Sequence, residues 1–516
     1  MRYLIKLKKI YDIFICSASG AAASMCMYSS RFLFMAFFSM IPLIIVIFKS
    51  ENMKKSEMFR RIFFFYLVFM VVSLSWLSEI NVKMYNGKIN TLILIIFLII
   101  VESAVHAVIM ALTMCVYASL QKNNIGDVFV FALLFILGEW FHETLYPVTF
   151  PWFRMAVSVT SYTEFIQSAN LFGSLFTSFL IVVVNALLGY IICNVKCRKR
   201  LVIGAEMLVL IFSLNVLYGK MNISRKFRCG DDISVILLQS NIGENQKQQY
   251  SDNQTLDYYI SALNNISYND ESIVVLPESA MNFNIKANSE ELKRIADIAN
   301  SKKINVVFGC YSYKDKQKYN SMAAIYPNGK ISEIYSKKIL VPFGEMVPLE
   351  WLAGNIIRNT FTGIGEFSKG GDEVTIDTGC GCAGCIICYE SLYPSAARKA
   401  VSENADFLMI LSNDSWFSGS AEVAQHHSHS ILRAVENSRY VIRCSTSGIT
   451  SVISPTGQVI AKAPENVVYT LKSNISCVSS KSLYSIIGDV IIIPSAVVFI
   501  AGILKKKNKK EVQPEN

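Results

Sequence analysis

Charged residues are scarce in this chain. Only 17% of its 516 positions are Asp, Glu, Lys or Arg, against about a quarter in soluble domains. With a mean hydropathy of +0.38, a wholly soluble protein is excluded. A disulfide framework is also missing. The thirteen cysteines are an odd number, and Cys16, Cys26, Cys115 and Cys193 lie in apolar runs, where cysteine packs as a small hydrophobe. Neither an internal repeat nor a low-complexity linker interrupts the chain, which leaves domains rather than a repeat array. The formal charge of +10 invites a nucleic-acid reading, but the basic residues sit in short clusters beside apolar runs, at Lys6–Lys9, Lys54–Arg61, Lys196–Arg200 and Lys505–Lys510. That is the pattern of membrane topology, so nucleic acid is excluded as a partner.

What the chain has in abundance is long apolar sequence. A bilayer core about 30 Å thick needs about 20 residues of helix. Runs near that length lie at about 10–28, 32–48, 60–78, 90–117, 127–141, 170–193, 201–218 and 484–503, giving about eight expected spans. The first run also reads as a signal peptide, since a basic start leads to small residues at Ser17–Ser24. Between about 222 and 478 the character changes. Short β-rich segments (Ile233–Leu238, Ile273–Leu276, Ile304–Phe308, Phe407–Leu411) alternate with helical patterns (Ser289–Asn300, Ala424–Asn437), as in an α/β or α+β sandwich with a mostly buried sheet. Three parts are therefore expected: a membrane domain of about seven helices over 1–222, a catalytic domain over 223–478, and a last span with a basic, disordered tail over 479–516.

Orientation follows from lysine and arginine in the short loops. With the N-terminus inside, the clusters at Lys6–Lys9, Lys49–Arg61, Lys122 and Val195–Arg200 and the C-terminal tail all fall inside. The lightly basic loops around Arg31, Lys83, Lys88 and Arg154 fall outside. The 223–478 domain is thus expected on the extracytoplasmic side of a cell membrane.

Three segments of that domain end an apolar run with a reactive group. Val274-Val275-Leu276-Pro277-Glu278-Ser279 offers a partly desolvated carboxylate suited to a general base, or a solvated one. Tyr335-Ser336-Lys337-Lys338-Ile339-Leu340-Val341-Pro342-Phe343-Gly344-Glu345 offers an ammonium for an oxyanion, or an exposed basic turn. Cys385-Ile386-Ile387-Cys388-Tyr389-Glu390 offers a nucleophile activated by nearby lysine, or a structural thiol.

Taken together, Pro277-Glu278, Lys337 with Leu340–Glu345, and Cys388-Tyr389-Glu390 resemble the Glu–Lys–Cys motifs of the nitrilase (carbon–nitrogen hydrolase) superfamily, and within it the apolipoprotein N-acyltransferase family. The resemblance runs through Gln239-Ser240-Asn241-Ile242, Asn413-Asp414-Ser415-Trp416-Phe417, Gln425-His426, Arg433-Ala434-Val435-Glu436 and Arg443. In the apolar part it includes Trp76, Glu139-Trp140, Phe150-Pro151-Trp152, Gln167 and Asn185. Ser418 and Ala421-Glu422-Val423-Ala424 replace the usual glycine and proline. Thr446 replaces an asparagine, and Ile339 stands where family members often carry histidine.

The resemblance implies an αββα nitrilase-like sandwich carried by a polytopic α-helical membrane domain. It implies Cys388 as the nucleophile that holds a fatty acid as a thioester, Glu278 as the base and Lys337 as the oxyanion partner. Glu345 orients them, and Tyr389, Glu390, Trp416 and Asn413 support the site. The implied partners are a phospholipid acyl donor, a diacylated lipoprotein acceptor and the bilayer, with the protein a monomer. An acyltransferase or amidase acting on another amine or amide is the nearest alternative. A non-catalytic membrane protein is disfavoured by the sparse ionisable residues of the spans (Glu102, His106, Glu139, Asp489).

No cofactor and no metal are expected. Cys380, Cys382, Cys385 and Cys388 have a ligand-like spacing, but strand alternation would splay the later ones to opposite faces. His426 and His429 share a helix face that His427 does not, which suits a capping or core role.

Overall fold

The computed structural model describes residues 2–50, 52–80, 89–225, 227, 232–243, 251–267, 272–285, 290–347 and 367–511. The expected outside loop with Lys83 and Lys88, and Pro348, lie outside these. The chain divides into two compact units, Met1–Ser224 with Ile487–Asn516, and Arg225–Ile486.

The first unit is helical. Its main elements are α1 (Arg2–Tyr28), α2 (Ile41–Phe48), α3 (Lys55–Ser73), α4 (Ile89–Met114), α5 (Gly126–Thr144), α6 (Ser174–Cys193) and α7 (Arg198–Ile223). All eight expected runs contain helix. Among the described residues, five segments are long and apolar enough to cross a membrane: Leu7–Tyr28, Ser30–Phe48, Ile89–Leu120, Ser174–Cys193 and Arg198–Ile223. α3 carries Glu57, Arg60 and Arg61, and α5 carries Asp127, Glu139 and Glu143, so composition alone does not mark them as spans.

Packing in this unit relies on small residues and satisfied polar groups. A Cβ on Gly20 of α1 would lie 2.1 Å from the Phe65 carbonyl oxygen of α3, so only glycine permits this approach. The Ser30–Phe48 span breaks after a 3₁₀ segment, Ser30–Phe37. Asn185 of α6 repairs the break, donating from Nδ2 to the Ala36 carbonyl at 2.7 Å and accepting from the Met40 amide at 3.0 Å. Broken backbone at membrane depth survives only with such partners.

The second unit contains β1 (Asp232–Gln239), α8 (Asp252–Asn264), β2 (Ile273–Val275), β3 (Met281–Asn284), α9 (Glu290–Lys302), β4 (Asn305–Lys314), β5 (Gln317–Ile325), β6 (Tyr335–Ser336), β7 (Thr375–Asp377) and β8 (Cys382–Ile387). There follow α10 (Pro394–Ser402), β9 (Phe407–Ser412), α11 (Ala421–Asn437), β10 (Val441–Ser445), β11 (Ser451–Ile453), β12 (Val459–Lys462) and β13 (Tyr469–Ser476). The first sheet runs β13-β1-β2-β4-β5-β6, with β3 paired to β4; the second runs β12-β11-β10-β9-β8-β7. Each has a parallel centre, β1-β2-β4 and β8-β9-β10. These strands are apolar on both faces, as double-sided burial requires.

One core joins the inner faces through Val235, Val275, Val307, Cys385, Met409 and Ile442. A second lies between the first sheet's outer face and α8 and α9, through Val274, Val306, Leu256, Tyr259 and Ile295. The Cys444 thiol donates to the Val275 carbonyl at 3.4 Å, across the two sheets. The result is a nitrilase-type αββα sandwich. Back in the first unit, the last helix α12 (Ile492–Glu511) departs from expectation. The sequence predicts disorder from Lys505, whereas the helix continues through the basic run to Glu511, lysine being a good helix former; residues 512–516 of the tail lie outside the described residues.

Ile442 is fully buried between the sheets and Ile460 of edge strand β12 is 47% exposed. Ile442→Ala should cost about 2–5 kcal/mol, and Ile460→Ala within about 0.5 kcal/mol. Denaturant unfolding of the full chain in detergent, followed by tryptophan fluorescence, checks both.

Candidate active site

The parallel strands of both sheets deliver their carboxyl ends to one region, where α/β folds place ligands. Pro277-Glu278-Ser279 follows β2, Lys337 follows β6, Cys388 follows β8, and Asn413-Asp414 follows β9. Three of these turns hold a non-glycine residue in the left-handed region: Ser279 at φ 51°, Phe343 at φ 62° and Cys388 at φ 52°. Ser279 adjoins Glu278, Cys388 is itself a predicted site residue and Phe343 lies two residues before Glu345; such strain gathers at functional sites. Gly309 of β4 makes room for the first turn, since a Cβ there would lie 2.7 Å from Glu278 Cα.

Lys337 is 1% exposed. Its Nζ lies 2.9 Å from Glu345 Oε2 and 3.6 Å from Glu278 Oε1. Burial would lower its pKa, but the Glu345 and Glu278 carboxylates outweigh burial and raise it, so it is a permanent cation. Asn320 of β5 ties the set together, donating from Nδ2 to Glu278 Oε1 at 2.8 Å and Glu345 Oε1 at 2.9 Å. Its own carbonyl accepts the Lys337 amide at 2.8 Å. Glu345 is held in turn by the Val341 amide at 2.8 Å.

Glu390 joins the cysteine turn to the lysine segment. Oε1 accepts from the Lys338 and Ile339 amides at 2.7 and 3.1 Å, and Oε2 from Tyr335 Oη at 2.7 Å and the Ile387 amide at 2.8 Å. Burial raises its pKa, while those donors pull it back. The lysine-activated thiol expected from the sequence needs correction. Burial, with the Glu278 charge, pushes the Cys388 thiol well above its usual range, and Lys337 opposes this only in part. The direction of this shift favours a neutral thiol at Cys388.

Behind Cys388 lies a buried ionic cluster. His426 Nε2 is 3.1 Å from the Cys388 carbonyl and 2.9 Å from Ser391 Oγ. Nδ1 is 2.9 Å from Asp414 Oδ1 and 3.4 Å from Glu422 Oε1. Arg443 Nη2 donates to Asp414 Oδ2 at 2.8 Å and lies 3.1 Å from His426 Nδ1. Asp414 is held well below the usual carboxylate range because Arg443 and His426 overcome its burial. Ligand atoms of Cys388, Asp414 and His426 lie within 4.8 Å of one another, but a metal ion there would face the Arg443 guanidinium directly. The group reads as an ion network.

The other predicted residues divide. Tyr389 is buried and accepts from Tyr393 Oη at 3.2 Å. Asn413 Oδ1 accepts the Ser415 amide at 3.3 Å. Trp416 is half-buried in the 3₁₀ turn Ser415–Phe417, and no hydrogen bond ties it to Glu278, Lys337 or Cys388. Cys385 packs into the core between the sheets, while Cys380 accepts from Asn305 Nδ2 at 3.3 Å. His426, read as capping or core, is buried in the network behind the thiol; His427 Nε2 contacts Ser451 Oγ at 2.8 Å. Sequence reasoning missed Asn320. Its one signal is its place on a strand alternating toward the same end as Glu278.

A carbon–nitrogen hydrolase profile matches residues 237–480, and an apolipoprotein N-acyltransferase N-terminal domain profile matches residues 19–187. Apolipoprotein N-acyltransferase of Geobacter metallireducens is 28% identical over 72% of this chain and 72% of its own length. That of Pasteurella multocida is 27% identical over 95% of this chain and 94% of its own. Among solved structures, a nitrilase-superfamily protein of Saccharomyces cerevisiae covers 52% of this chain and 96% of its own, at 20% identity and a TM-score of 0.38. With both profiles in sequence on one chain and relatives that span nearly all of it, the protein belongs to the apolipoprotein N-acyltransferase family, a membrane-embedded branch of the carbon–nitrogen hydrolase superfamily.

Proposed function

We propose that this enzyme transfers a fatty acyl chain from a phospholipid to the α-amine of the lipid-modified N-terminal cysteine of a lipoprotein, through a thioester on Cys388. The observation that carries this reading is the buried Lys337 ammonium, held by Glu345 and Glu278 within electrostatic reach of the Cys388 thiol. A neutral thiol beside a carboxylate and a fixed cation suits covalent acyl transfer.

In the first half-reaction Cys388 Sγ attacks the ester carbonyl and its proton passes to Glu278. The oxyanion faces Lys337. The carbon–oxygen bond then breaks, and the proton returns to the departing glycerol oxygen, releasing a lysophospholipid. In the second, the acceptor amine attacks the thioester, Glu278 takes the amine proton, and the carbon–sulfur bond breaks as Cys388 recovers that proton. Glu345 and Asn320 orient Lys337 and Glu278, and Glu390 fixes the cysteine turn. Tyr389, Asn413 and Trp416 line or support the site.

The same reading assigns residues 1–222 and 479–516 to the membrane. It assigns residues 223–478 to catalysis on the extracytoplasmic face of a cell membrane, in a monomer. Impermeant thiol labelling of introduced cysteines in intact cells tests this. Sites in 223–478 should label and sites in the 505–510 tail should not; a labelled tail would invert the last span.

Cys388→Ala should abolish both turnover and the acyl adduct seen by mass spectrometry. Cys385→Ala, a change in the sheet-to-sheet core, should alter stability and leave the adduct intact. Transfer of label from a defined phospholipid to a diacylated lipopeptide supplies the rate. Water or a simple amine serving equally well as acceptor would favour an amidase or a different acyltransferase.

Glu278→Gln keeps shape and removes the base, so thioester formation should slow by about 10²–10⁴-fold. Lys337→Met should slow both half-reactions, since each passes through an oxyanion at the same carbonyl. Lys337→Arg should rescue poorly because its planar fork does not reproduce a compact ammonium. Single-turnover assays separate the steps, and near-normal thioester formation in Lys337→Met would remove Lys337 from catalysis.

A further inference from the structure

Glu422 is a residue the proposed mechanism does not use. It lies in the first turn of α11, where the family's usual glycine and proline are absent. It is 2% exposed, and among the described residues its Oε2 is buried with no hydrogen-bond partner. A buried carboxyl oxygen left unpaired is costly unless it does something. Its other oxygen, Oε1, sits 3.4 Å from His426 Nδ1.

His426 leads from there to the nucleophile. Its Nε2 faces the Cys388 carbonyl, which only accepts, so Nε2 carries a proton. Its Nδ1 lies 2.9 Å from Asp414 Oδ1 and 3.4 Å from Glu422 Oε1, with the Arg443 guanidinium 3.1 Å away, so Nδ1 carries a proton when the two ionised carboxyls together outweigh that cation. Burial and Arg443 oppose the imidazolium, but Asp414 and Glu422 outweigh them and raise the His426 pKa. The ring thereby clamps the carbonyl of a residue held at φ 52°, and that backbone angle aims the thiol.

We propose that Glu422 is a positioning residue for Cys388: ionised, it completes the anionic cradle of the His426 ring, and that ring fixes the cysteine backbone in its left-handed reactive conformation. This rests on Cys388 being the nucleophile. Burial, with the Asp414 charge, lifts Glu422 to about 7, so the cradle completes itself across the neutral range. The charged groups facing it are Asp414 after β9, Arg443 on β10 and His426 on its own helix; His427, held neutral by burial, contacts Ser451 instead.

The test is alkylation of Cys388 by iodoacetamide on the full chain in detergent, read by mass spectrometry of the Cys388 peptide across pH. Taking the ratio of native to Glu422→Gln rates cancels the ionisation of the thiol itself. The ratio should rise from near one at about pH 5.5 to about tenfold at about pH 8.5, the worth of one charge-assisted hydrogen bond. A ratio that stays constant with pH, or is one throughout, overturns the proposal, since a packing role alone has no such profile. In a His426→Gln background Glu422→Gln should change nothing further. A pH-dependent ratio that persists there also overturns it, because Glu422 would then act by another route. Persistent acyl transfer by Cys388→Ala would instead sink the nucleophile assignment, and the alkylation ratio is measured independently of it.

Discussion

A primary ammonium held almost wholly out of water, at Lys337, sets the terms for the sandwich unit. An ion taken from water into a protein interior costs several kcal/mol even after relaxation, and removing one partner of a buried pair costs about 3–5 kcal/mol. Glu345 and Glu278 supply the compensating charge. Their positions must then be fixed, which explains the surrounding construction. Asn320 spends both hydrogens of one amide nitrogen on these carboxylates. The Val341–Met346 turn folds around Glu345, with Pro342 bridged to Met346 and the Val341 amide on Oε2. The cation also explains why two sheets are needed. Asn320 and Lys337 come from the first sheet, Cys388 from the second, and a buried charge at their shared end makes the register of the sandwich costly to alter.

The acidic groups near the thiol are separated by environment into different tasks. Glu390 accepts from three backbone amides and a phenol, so its work is mechanical: it joins the cysteine turn to the Lys337–Ile339 segment. Asp414 is locked as an anion by Arg443 and His426. Glu422, buried without a guanidinium of its own, is poised near neutrality. Among these acidic groups Glu278 is the one placed beside both the ammonium and the thiol, the position the proposed proton shuttle requires. The raised Cys388 thiol belongs to the same division. In the proposed mechanism a thiol kept neutral by burial calls for a base such as Glu278, whereas a resting thiolate would not.

How much of this the sequence reveals depends on the range of the interaction concerned. Strand segments such as Ile273–Leu276 and Phe407–Leu411 were legible because burial on both faces leaves an unbroken apolar run. Glu278, Lys337 and Cys388 stood out because each directly follows such a run. Asn320 did not, since its importance lies wholly in pairing with residues 42 and 25 positions away. The thiol was misjudged for a related reason. A nearby lysine is visible in sequence motifs, but the depth of burial that outweighs it is a property of the closed sandwich. His426 was rightly placed on a buried helix face, yet its partners Asp414, Arg443 and the Cys388 carbonyl come from three other segments. Trp416 shows the opposite limit: a motif residue whose place in the turn leaves it without a hydrogen bond to the trio.

The helical unit obeys the same rule of satisfied polar groups with different means. In hydrocarbon there is no water to accept an orphaned backbone group, so polar side chains appear where helices break rather than where chemistry occurs. Asn185 serves the gap between Phe37 and Ile41, and Ser19 Oγ donates to the Ser39 carbonyl in the same gap at 2.5 Å. Arg154 pairs with Glu143 and donates to Ser174 Oγ at 2.6 Å, so its charge is answered inside the unit. The same pairing bears on α3 and α5, which a count of apolar residues does not mark as spans. Arg61 and Glu139 are among the charges that count against α3 and α5, yet Arg61 is bound to Asp12 at 2.6 Å and Glu139 accepts the Met155 amide at 2.8 Å. A charge that is paired within the helical unit no longer argues against that helix crossing a membrane.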